Sequence, residues 1–391
     1  MQVARQIAIA LEIDQPYPQH QEVFAGVQRY AREQKDWQCL IDEHPLDQYQ
    51  ARGRDGDSYD GVIARASAAM QRRLQRQSIP FVNVLFQSAR EGSPGVYPDA
   101  ERLGRAAADH LLERGFRSLC YMGELDLHKH TAAVGSSFKA HAEDGGADCE
   151  LLQLPDASFL DAKIYREVEK RIRQWIERLT PPVALFVEEA PIARRVIQQC
   201  VSAGLDVPRD VAVLSQHNLK SVVNVSPQIS SIEIDNERAG YEAARLLDKL
   251  MSGKRAPTKP ILIPPKGVVG RESTDYFAVE DALVAEALRY IASRLSEPLR
   301  VEDVADDLAV SLRTLQARFG EALGVGVGQE IRRLRLEKAK RLLLEPDYSI
   351  AHVSEQSGFG RPQLFSAVFR REVGMTPSAY RKASIGGHES V

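Results

Sequence analysis

Apolar residues in the last hundred positions recur at helical spacing in two separate places. Each place predicts a short helix, a tight turn and a longer helix, which is a helix-turn-helix. In the first unit the apolar positions are Val301, Val304, Ala305, Leu308, Leu315, Phe319 and Leu323. The second unit covers residues 349–374, and its Gly358 supplies the positive φ that a sharp turn favours. Ser311 is a candidate N-cap for the longer helix of the first unit.

Between the two units the pattern predicts one long helix with an apolar side and a basic side. The apolar positions are Ile331, Leu334, Leu336, Ala339, Leu342 and Leu343. The basic positions are Arg332, Arg333, Arg335, Lys338, Lys340 and Arg341. We expect this helix to hold the two units in a fixed relation.

Charge distinguishes this part of the chain from the rest. The whole sequence has 51 Lys and Arg against 54 Asp and Glu, yet residues 310–382 have 13 against 7. Alone, such an excess is typical of a solvated surface helix. Combined with two helix-turn-helix units, it favours the phosphate backbone of double-stranded DNA as the partner.

Residues 281–382 resemble the DNA-binding domain of AraC-type regulators, most specifically in Gly358-Phe359, Leu364-Phe365-Ser366 and the run from Phe369 to Arg381. The resemblance implies that each longer helix is a recognition helix in the major groove. Ala317 and Ala367 stand where that family often has a basic residue, so we expect neighbouring side chains to contact DNA. The predicted DNA-binding residues are Ser311, Arg313, Thr314, Gln316, Arg318, Arg361, Gln363, Ser366 and Arg370.

From residue 6 to about residue 270, short β-rich runs alternate with amphipathic stretches, which is typical of βαβ units and a parallel sheet. The predicted strands are 6–13, 37–42, 61–64, 81–84, 118–122, 150–154, 183–187, 211–214 and 231–234. Predicted helices include 20–34, 100–114, 163–178, 192–203 and 236–251. These are too many strands for one compact sheet, so we expect two lobes.

Residues 99–116, 207–214, 230–244 and 261–275 resemble the sugar-binding domain of LacI-type repressors and periplasmic sugar-binding proteins. The fold class we predict is therefore an α/β two-lobed, periplasmic-binding-protein-like (LacI-type) sensor domain, followed by an all-α double helix-turn-helix domain. The resemblance implies a first lobe near 5–98 plus 217–245. Predicted boundaries are 1–270 for sensing and dimerisation, 271–280 for a linker, 281–385 for DNA binding and 386–391 for a disordered tail. This combination resembles the bacterial xylose regulators.

In related domains, acids after the strands accept sugar hydroxyls. Here Arg65 and His217 stand in such places, and Val134 stands where an arginine is expected, whereas Asn218 and Glu189 fit the pattern. The predicted ligand-binding residues are Asp14, Tyr17, Arg65, Glu124, Glu189, His217, Asn218 and Asp235. These substitutions favour a negatively charged sugar derivative over D-xylose. A neutral pentose, another small molecule and a cleft that binds nothing stay open.

Other classes of protein fit the sequence less well. Residues 1–14 lack the apolar core of a signal peptide, which argues against a transport binding protein and favours the cytoplasm without membrane association. The four cysteines have no Cys-x-x-Cys spacing and the histidines have no zinc-site spacing, so we expect reduced thiols, no metal and no cofactor. An enzyme fused to a DNA-binding domain is the alternative, but Cys120 lies in a predicted strand and not in a nucleophile elbow. We expect a homodimeric, sugar-controlled activator of carbohydrate-catabolic genes that contacts RNA polymerase.

Overall fold

The computed structural model describes residues 5–13, 18–34, 36–46, 59–85, 93–124, 129–155, 162–224, 226–279, 281–343 and 348–386. Two six-stranded sheets form the first part of the chain, and helices form the rest. The strands are β1 Arg5–Ala10, β2 Trp37–Ile41, β3 Gly61–Ala64, β4 Phe81–Val84, β5 Gly95–Pro98, β6 Ser118–Gly123, β7 Asp148–Gln153, β8 Val183–Val187, β9 Val211–Ser215, β10 Ser230–Glu233, β11 Ile261–Ile263 and β12 Gly267–Val269.

Each sheet is the centre of one lobe. The first has the strand order β11-β5-β4-β3-β1-β2, and all of its pairs are parallel. The second has the order β12-β10-β9-β8-β6-β7 and is parallel except where β12 pairs with β10. The chain passes between the sheets after β5, after β10 and after β11. Three connections of this kind form a hinge between the lobes.

Helices cover both faces of each sheet. They are α1 Pro18–Gln34, α2 Ala68–Arg76, α3 Ala100–Leu112, α4 Lys129–Asp144, α5 Ala162–Ile176, α6 Ala190–Ser202, α7 Lys220–Val223 and α8 Asn236–Met251. Asp99 and Asp235 cap α3 and α8 by accepting hydrogen bonds from the backbone N–H groups of Arg102 and Arg238. Buried apolar clusters lie on both faces, which explains the nearly continuous apolar strands.

The predicted α/β fold class is confirmed, and so are all the predicted strands, with ends that differ by at most three residues. The predicted membership of the first lobe is wrong for residues 217–233. Ser230 and Ser231 pair with Leu214 and Ser215 of the second sheet, so β10 belongs to the second lobe. Only α8 of that region packs on the first sheet. Periodicity identifies a strand but not its neighbours, and the short strands β5, β11 and β12 give too little periodicity to be predicted.

In the described residues of the C-terminal part, 281–343 and 348–386, all regular elements are helices. They are α9 Ala282–Ser293, α10 Val301–Asp307, α11 Leu312–Leu323, α12 Val327–Leu343, α13 Ile350–Gln356, α14 Pro362–Val373 and α15 Pro377–Gly386. One apolar core joins α9 to α11 with the first half of α12, and a second joins the rest of α12 to α13, α14 and Tyr380. The long helix α12 therefore belongs to both cores, as the sequence predicts. Residues 387–391 of the predicted tail lie outside the described residues.

The predicted linker is packed along its described length. Glu272–Thr274 form a 3₁₀ helix, and Ser273 and Thr274 are fully buried. Tyr276 and Ala278 pack on the core of the second lobe, whereas Phe277 and Val279 pack in the core that contains α9 and α11. Side chains along this segment thus pack alternately on the sensor and on the helical domain. We still propose 270/271 and 280/281 as domain boundaries, but this segment is not a free tether.

Candidate DNA-reading surface and effector cleft

The first helix-turn-helix consists of α10 and α11. Ala309 makes the turn with a positive φ of 51°, and Ser311 caps α11 through a 3.0 Å hydrogen bond from the Thr314 N–H. Leu315 and Phe319 are fully buried against the neighbouring helices. Gly324 ends α11 in the left-handed conformation. The helix is thus fixed at both ends, with its other face outward.

The second unit, α13 and α14, repeats this geometry. Gly358 takes the turn position with φ 78°, and Gly374 ends α14 with φ 83°. Phe365 and Phe369 occupy the buried positions that Leu315 and Phe319 hold in the first unit. The two recognition helices, α11 and α14, are therefore equivalent in the structure.

The predicted base-reading side chains lie on the outer faces of these helices. Arg313, Thr314 and Gln316 are exposed on α11, although the Thr314 hydroxyl hydrogen-bonds Ser311 Oγ at 2.7 Å. Arg361 occupies the N-cap position of α14, and its side chain is exposed, as are those of Gln363 and Arg370. Ser366 is half-buried. Their roles in DNA binding stay predictions.

Arg318 differs from the other predicted residues. Its guanidinium donates a hydrogen bond to Asp281, the N-cap of α9, which also accepts from the N–H groups of Leu283 and Val284. This contact lowers the pKa of Asp281 and raises that of Arg318, chiefly through the hydrogen bond between them. Arg318 therefore connects recognition helix α11 to the helix that follows the linker.

Leu364 is an exposed residue of α14 that is not among the predicted DNA-binding residues. It is 55% exposed near the start of α14, beside Gln363. An exposed leucine on a recognition helix can contact the methyl group of thymine. Its position, one residue before buried Phe365, was the signal that could have identified it.

A small cavity lies between the lobes near the strand ends of the second sheet. Its volume is about 30 Å³, which holds one or two water molecules. The start of α1 contributes Glu22 from the first lobe, and His217, Asn218 and Glu233 come from the second. Among its described lining residues there is no lysine or arginine.

The carboxylates after β8 have unusual environments. Glu188 is buried and accepts hydrogen bonds from the Thr131 hydroxyl at 2.5 Å and the Glu124 N–H at 2.8 Å. Burial raises the pKa of Glu189 to about 7, and Glu124 adds to this effect. His217 Nε2 lies 3.9 Å from Glu189 Oε1, and burial lowers the pKa of this histidine. Near neutral pH, Glu189 is thus partly protonated and can donate as well as accept a hydrogen bond.

Asn218 lies in the cavity, but most of its hydrogen-bonding capacity is used within the protein. Its Nδ2 donates to Glu233 Oε2 at 2.5 Å. Its Oδ1 accepts from Ser231 Oγ at 2.9 Å and from Arg271 Nη2 at 2.8 Å. One N–H of Asn218 remains beyond these bonds and can donate to a ligand. To accept a hydrogen bond from a sugar hydroxyl as well, Asn218 must give up one of its existing bonds.

The remaining predicted ligand residues are spread along the strand ends. Arg65 forms an ion pair with Glu12 at 3.5 Å, so its charge is already partly balanced. Asp235 caps α8 and pairs with Lys266 at 3.1 Å. Val134 is fully buried in the second lobe. Asp14 and Tyr17 lie outside the described residues.

The cysteines and the possible metal ligands of the described residues show no further reactive site. All four cysteines are free there, and Cys120 lies buried in β6. Burial raises the pKa of Cys149 and Cys200 to about 12, so neither is a reactive thiolate near neutral pH. No group of three potential metal ligands occurs in that part of the chain. None of its helices combines the length and apolar character needed to cross a membrane.

Comparison with known proteins assigns both parts of the chain. Residues 108–274 match the periplasmic binding protein-like domain, and residues 304–383 match a helix-turn-helix domain. A solved structure of the xylose-binding transcription activator XylR is similar over 98% of this chain and 99% of that one, with a TM-score of 0.61 and 24% identity. The transcriptional regulator CelR in complex with cellobiose covers 70% of this chain and 86% of its own, with a TM-score of 0.56 and 17% identity. These structures support the fold.

Sequence relatives extend across both domains. The xylose operon regulatory protein of Escherichia coli strain K12 is 27% identical over 374 residues, which cover 92% of this chain and 93% of the relative. The protein of the same name from Haemophilus influenzae is 30% identical over 297 residues, which cover 74% of each chain. These relatives are regulatory proteins, and the predicted resemblance is confirmed. The chain belongs to the family of xylose operon regulatory proteins.

Proposed function

We propose that the protein is a homodimeric activator of carbohydrate-catabolic genes, which binds operator DNA through α11 and α14 and responds to a small neutral sugar between its lobes. The observation that carries this proposal is the pair of equivalent recognition helices, each with buried aromatic or aliphatic anchors and an outward polar face. Two such helices on one long helix are suited to successive major grooves on one side of DNA.

The outward residues divide into two groups by chemistry. Arg313, Gln316 and Gln363 carry side chains that can pair with base edges, so we assign sequence preference to them together with Thr314, Arg361 and Ser366. Arg370 is exposed beyond the first turn of α14, and we assign it to a phosphate. Arg318 and Ser311 position α11 through Asp281 and the helix cap.

The charge of the cavity favours a neutral effector. Glu22 and Glu233 line it without a described lysine or arginine, and Arg65 is paired with Glu12. These two carboxylates disfavour an anionic sugar, and Arg271, which hydrogen-bonds Asn218 from outside the lining, offsets only part of their charge. This charge distribution favours the opposite of the anionic preference that the substitutions at Arg65 and His217 suggest when only residue types are considered. His217 lines the cavity as a neutral imidazole, and the partly protonated Glu189 lies beside it, 3.9 Å from its Nε2.

The relatives supply the first sugar to test. Two of them are named for the xylose operon, and the similar solved structure is described as a xylose-binding transcription activator. We extend both properties to this chain, with RNA polymerase as the partner that activation requires. The cavity of about 30 Å³ is too small for a pentose, so we propose that sugar binds when the lobes separate and that binding shifts this equilibrium.

DNA binding is tested by selecting genomic fragments with the purified protein at about 0.15 M salt, where non-specific attraction is partly screened. We expect enrichment of particular fragments that contain two recognition sites about one helical turn apart. Equal retention of random DNA would contradict sequence-specific binding.

The effector is tested with a thermal-shift panel of D-xylose, other neutral sugars, sugar phosphates and sugar acids. A ligand present at about 100 times its Kd should stabilise the sensor by about 2.7 kcal/mol. We expect shifts from one or more neutral sugars only. A shift confined to the anions would overturn the charge argument, and no shift from any compound would indicate a cleft without a sugar ligand.

A further inference from the structure

Asn218 is the point where the cavity meets a chain of hydrogen bonds that leads out of it. Both acceptor positions of its Oδ1 are occupied, by Ser231 Oγ and by the Arg271 guanidinium. A ligand hydroxyl that donates to this oxygen must therefore displace Ser231 or Arg271. Of the two, Arg271 begins the segment that connects the sensor to the helical domain.

Arg271 donates three further hydrogen bonds to residues of its own lobe. Its Nη1 donates to the Ile229 carbonyl at 2.7 Å and to Ser231 Oγ at 2.8 Å, and its backbone N–H donates to Ser230 Oγ at 2.8 Å. Ser230 Oγ lies 2.6 Å from Thr274 Oγ1, three residues further along the segment. A movement of Arg271 thus acts directly on the buried 3₁₀ helix.

Thr274 passes the contact to α3. His110 Nε2 lies 2.8 Å from Thr274 Oγ1, and Arg114 Nε donates to the Thr274 carbonyl at 2.8 Å. The Arg114 carbonyl in turn accepts from the Ala278 N–H at 2.7 Å. The guanidinium of Arg114 also lies 5.8 Å from the ring of Phe277, which is buried in the core that carries α11.

We propose that Arg271 is the positioning residue through which the state of Asn218 in the cleft reaches recognition helix α11. The inference rests on the proposed function, because it takes the cleft as the effector site. A ligand that binds Asn218 releases Arg271. The segment 271–279 then shifts, and this moves Phe277 in the core that contains α11. Contacts of this kind couple two sites by factors of about 5 to 150 in affinity.

A double-mutant cycle on the full-length protein tests this without a known effector. Operator affinity is measured for the wild type, Asn218→Ala, Arg271→Met and the double variant. Methionine keeps much of the length of the arginine stem but none of its donors. We expect Asn218→Ala to change operator affinity at least about 5-fold in the wild-type background and less than 2-fold beside Arg271→Met.

Arg117→Met is the matched control, because Arg117 also donates to backbone carbonyls of the second lobe but does not contact Asn218. Beside Arg117→Met, the effect of Asn218→Ala should keep its full size. Additive effects of Asn218→Ala and Arg271→Met, or no effect of Asn218→Ala on operator affinity, would overturn the inference. Failure of the wild type to prefer any DNA would instead contradict the proposed function.

Hydrogen exchange gives a second measurement that does not depend on DNA. Asn218→Ala should speed amide exchange in residues 271–279 while α5 and α6 keep their protection. If exchange accelerates equally across the second lobe, the substitution has only loosened the fold, and Arg271 has no transmitting role.

Discussion

Gly358 lies directly against the carbonyl oxygen of Leu295, which is 1.8 Å from the position that a Cβ on Gly358 would occupy. The same carbonyl accepts a hydrogen bond from Arg335 Nε on α12 at 3.2 Å. The turn of the second helix-turn-helix therefore packs against the segment between α9 and α10, which leads into the first unit. This contact helps to fix the two recognition helices relative to each other.

Gly358→Ala should destabilise the second helix-turn-helix strongly. An L-residue in the left-handed region costs roughly 1–2 kcal/mol, and the clash with Leu295 adds to this. We expect a total loss of about 3 kcal/mol or more. Gly360→Ala is the control, because its φ is also positive, at 72°, but its Cβ would meet no atom within 4 Å. Amide hydrogen exchange of α13 and α14 measures the difference, and equal losses in the two variants would show that the clash is relieved.

Arg313→Ala should weaken operator binding by roughly 1–3 kcal/mol and relax the preference at particular base pairs. Arg370→Ala should weaken binding to all sequences by a similar factor, since we place it at a phosphate. Both residues are exposed, so neither change should unfold the domain. Affinity for the operator and for a set of single-base variants distinguishes the two effects. An unchanged base preference after Arg313→Ala would remove this residue from the reading surface.

Asp281→Asn should release Arg318 while keeping the cap of α9, because asparagine is also a good N-cap. The freed guanidinium can then reach a phosphate, so we expect stronger non-specific DNA binding and a salt dependence steeper by about one phosphate contact. Asp281→Ala should also lose the cap and destabilise α9 by about 1 kcal/mol. Salt titrations of binding to random DNA provide the measurement. In the double variant Asp281→Asn with Arg318→Ala the increase should vanish; if it persists, it arises elsewhere.

Glu189→Gln should make the sensor more stable at pH 8 and change it little near pH 4. The folded pKa of Glu189 is about 7 against 4.5 for the ordinary carboxyl, so the wild type loses stability as pH rises between these values. Since 35% of the side chain is exposed, solvent screening reduces the effect, and we expect a gain on the order of 1 kcal/mol at pH 8.

In a Trp37→Phe background, fluorescence of buried Trp175 during unfolding follows the lobe that contains Glu189. Glu177→Gln, at an exposed position on the same lobe, is the control for the loss of a surface carboxyl group. A gain of equal size at pH 4 and pH 8 would contradict a raised pKa at Glu189.

Features that depend on residues close together along the chain could be predicted from the sequence. The stripe of Leu315 and Phe319 and the cap at Ser311 follow from the 3.6-residue helical repeat, so α10, α11 and their equivalents were predictable. Apolar runs such as β8 and β9 were predictable because a strand covered on both faces excludes polar residues. Residue types at strand ends also indicated where the cleft lies.

Contacts between residues far apart in the sequence could not be predicted in this way, because they depend on tertiary packing. Arg318 pairs with Asp281, 37 residues away, and Arg271 reaches Asn218, 53 residues away. Neither pairing produces a periodic pattern in the sequence, because a side chain's hydrogen-bond partner depends on how separate elements pack. The charge of the cleft was decided in the same way, since Arg65 suggests an anion site until Glu12 is found beside it. Helices and strands follow from the order of neighbouring residues, whereas contacts between them form only when the chain folds around a common core.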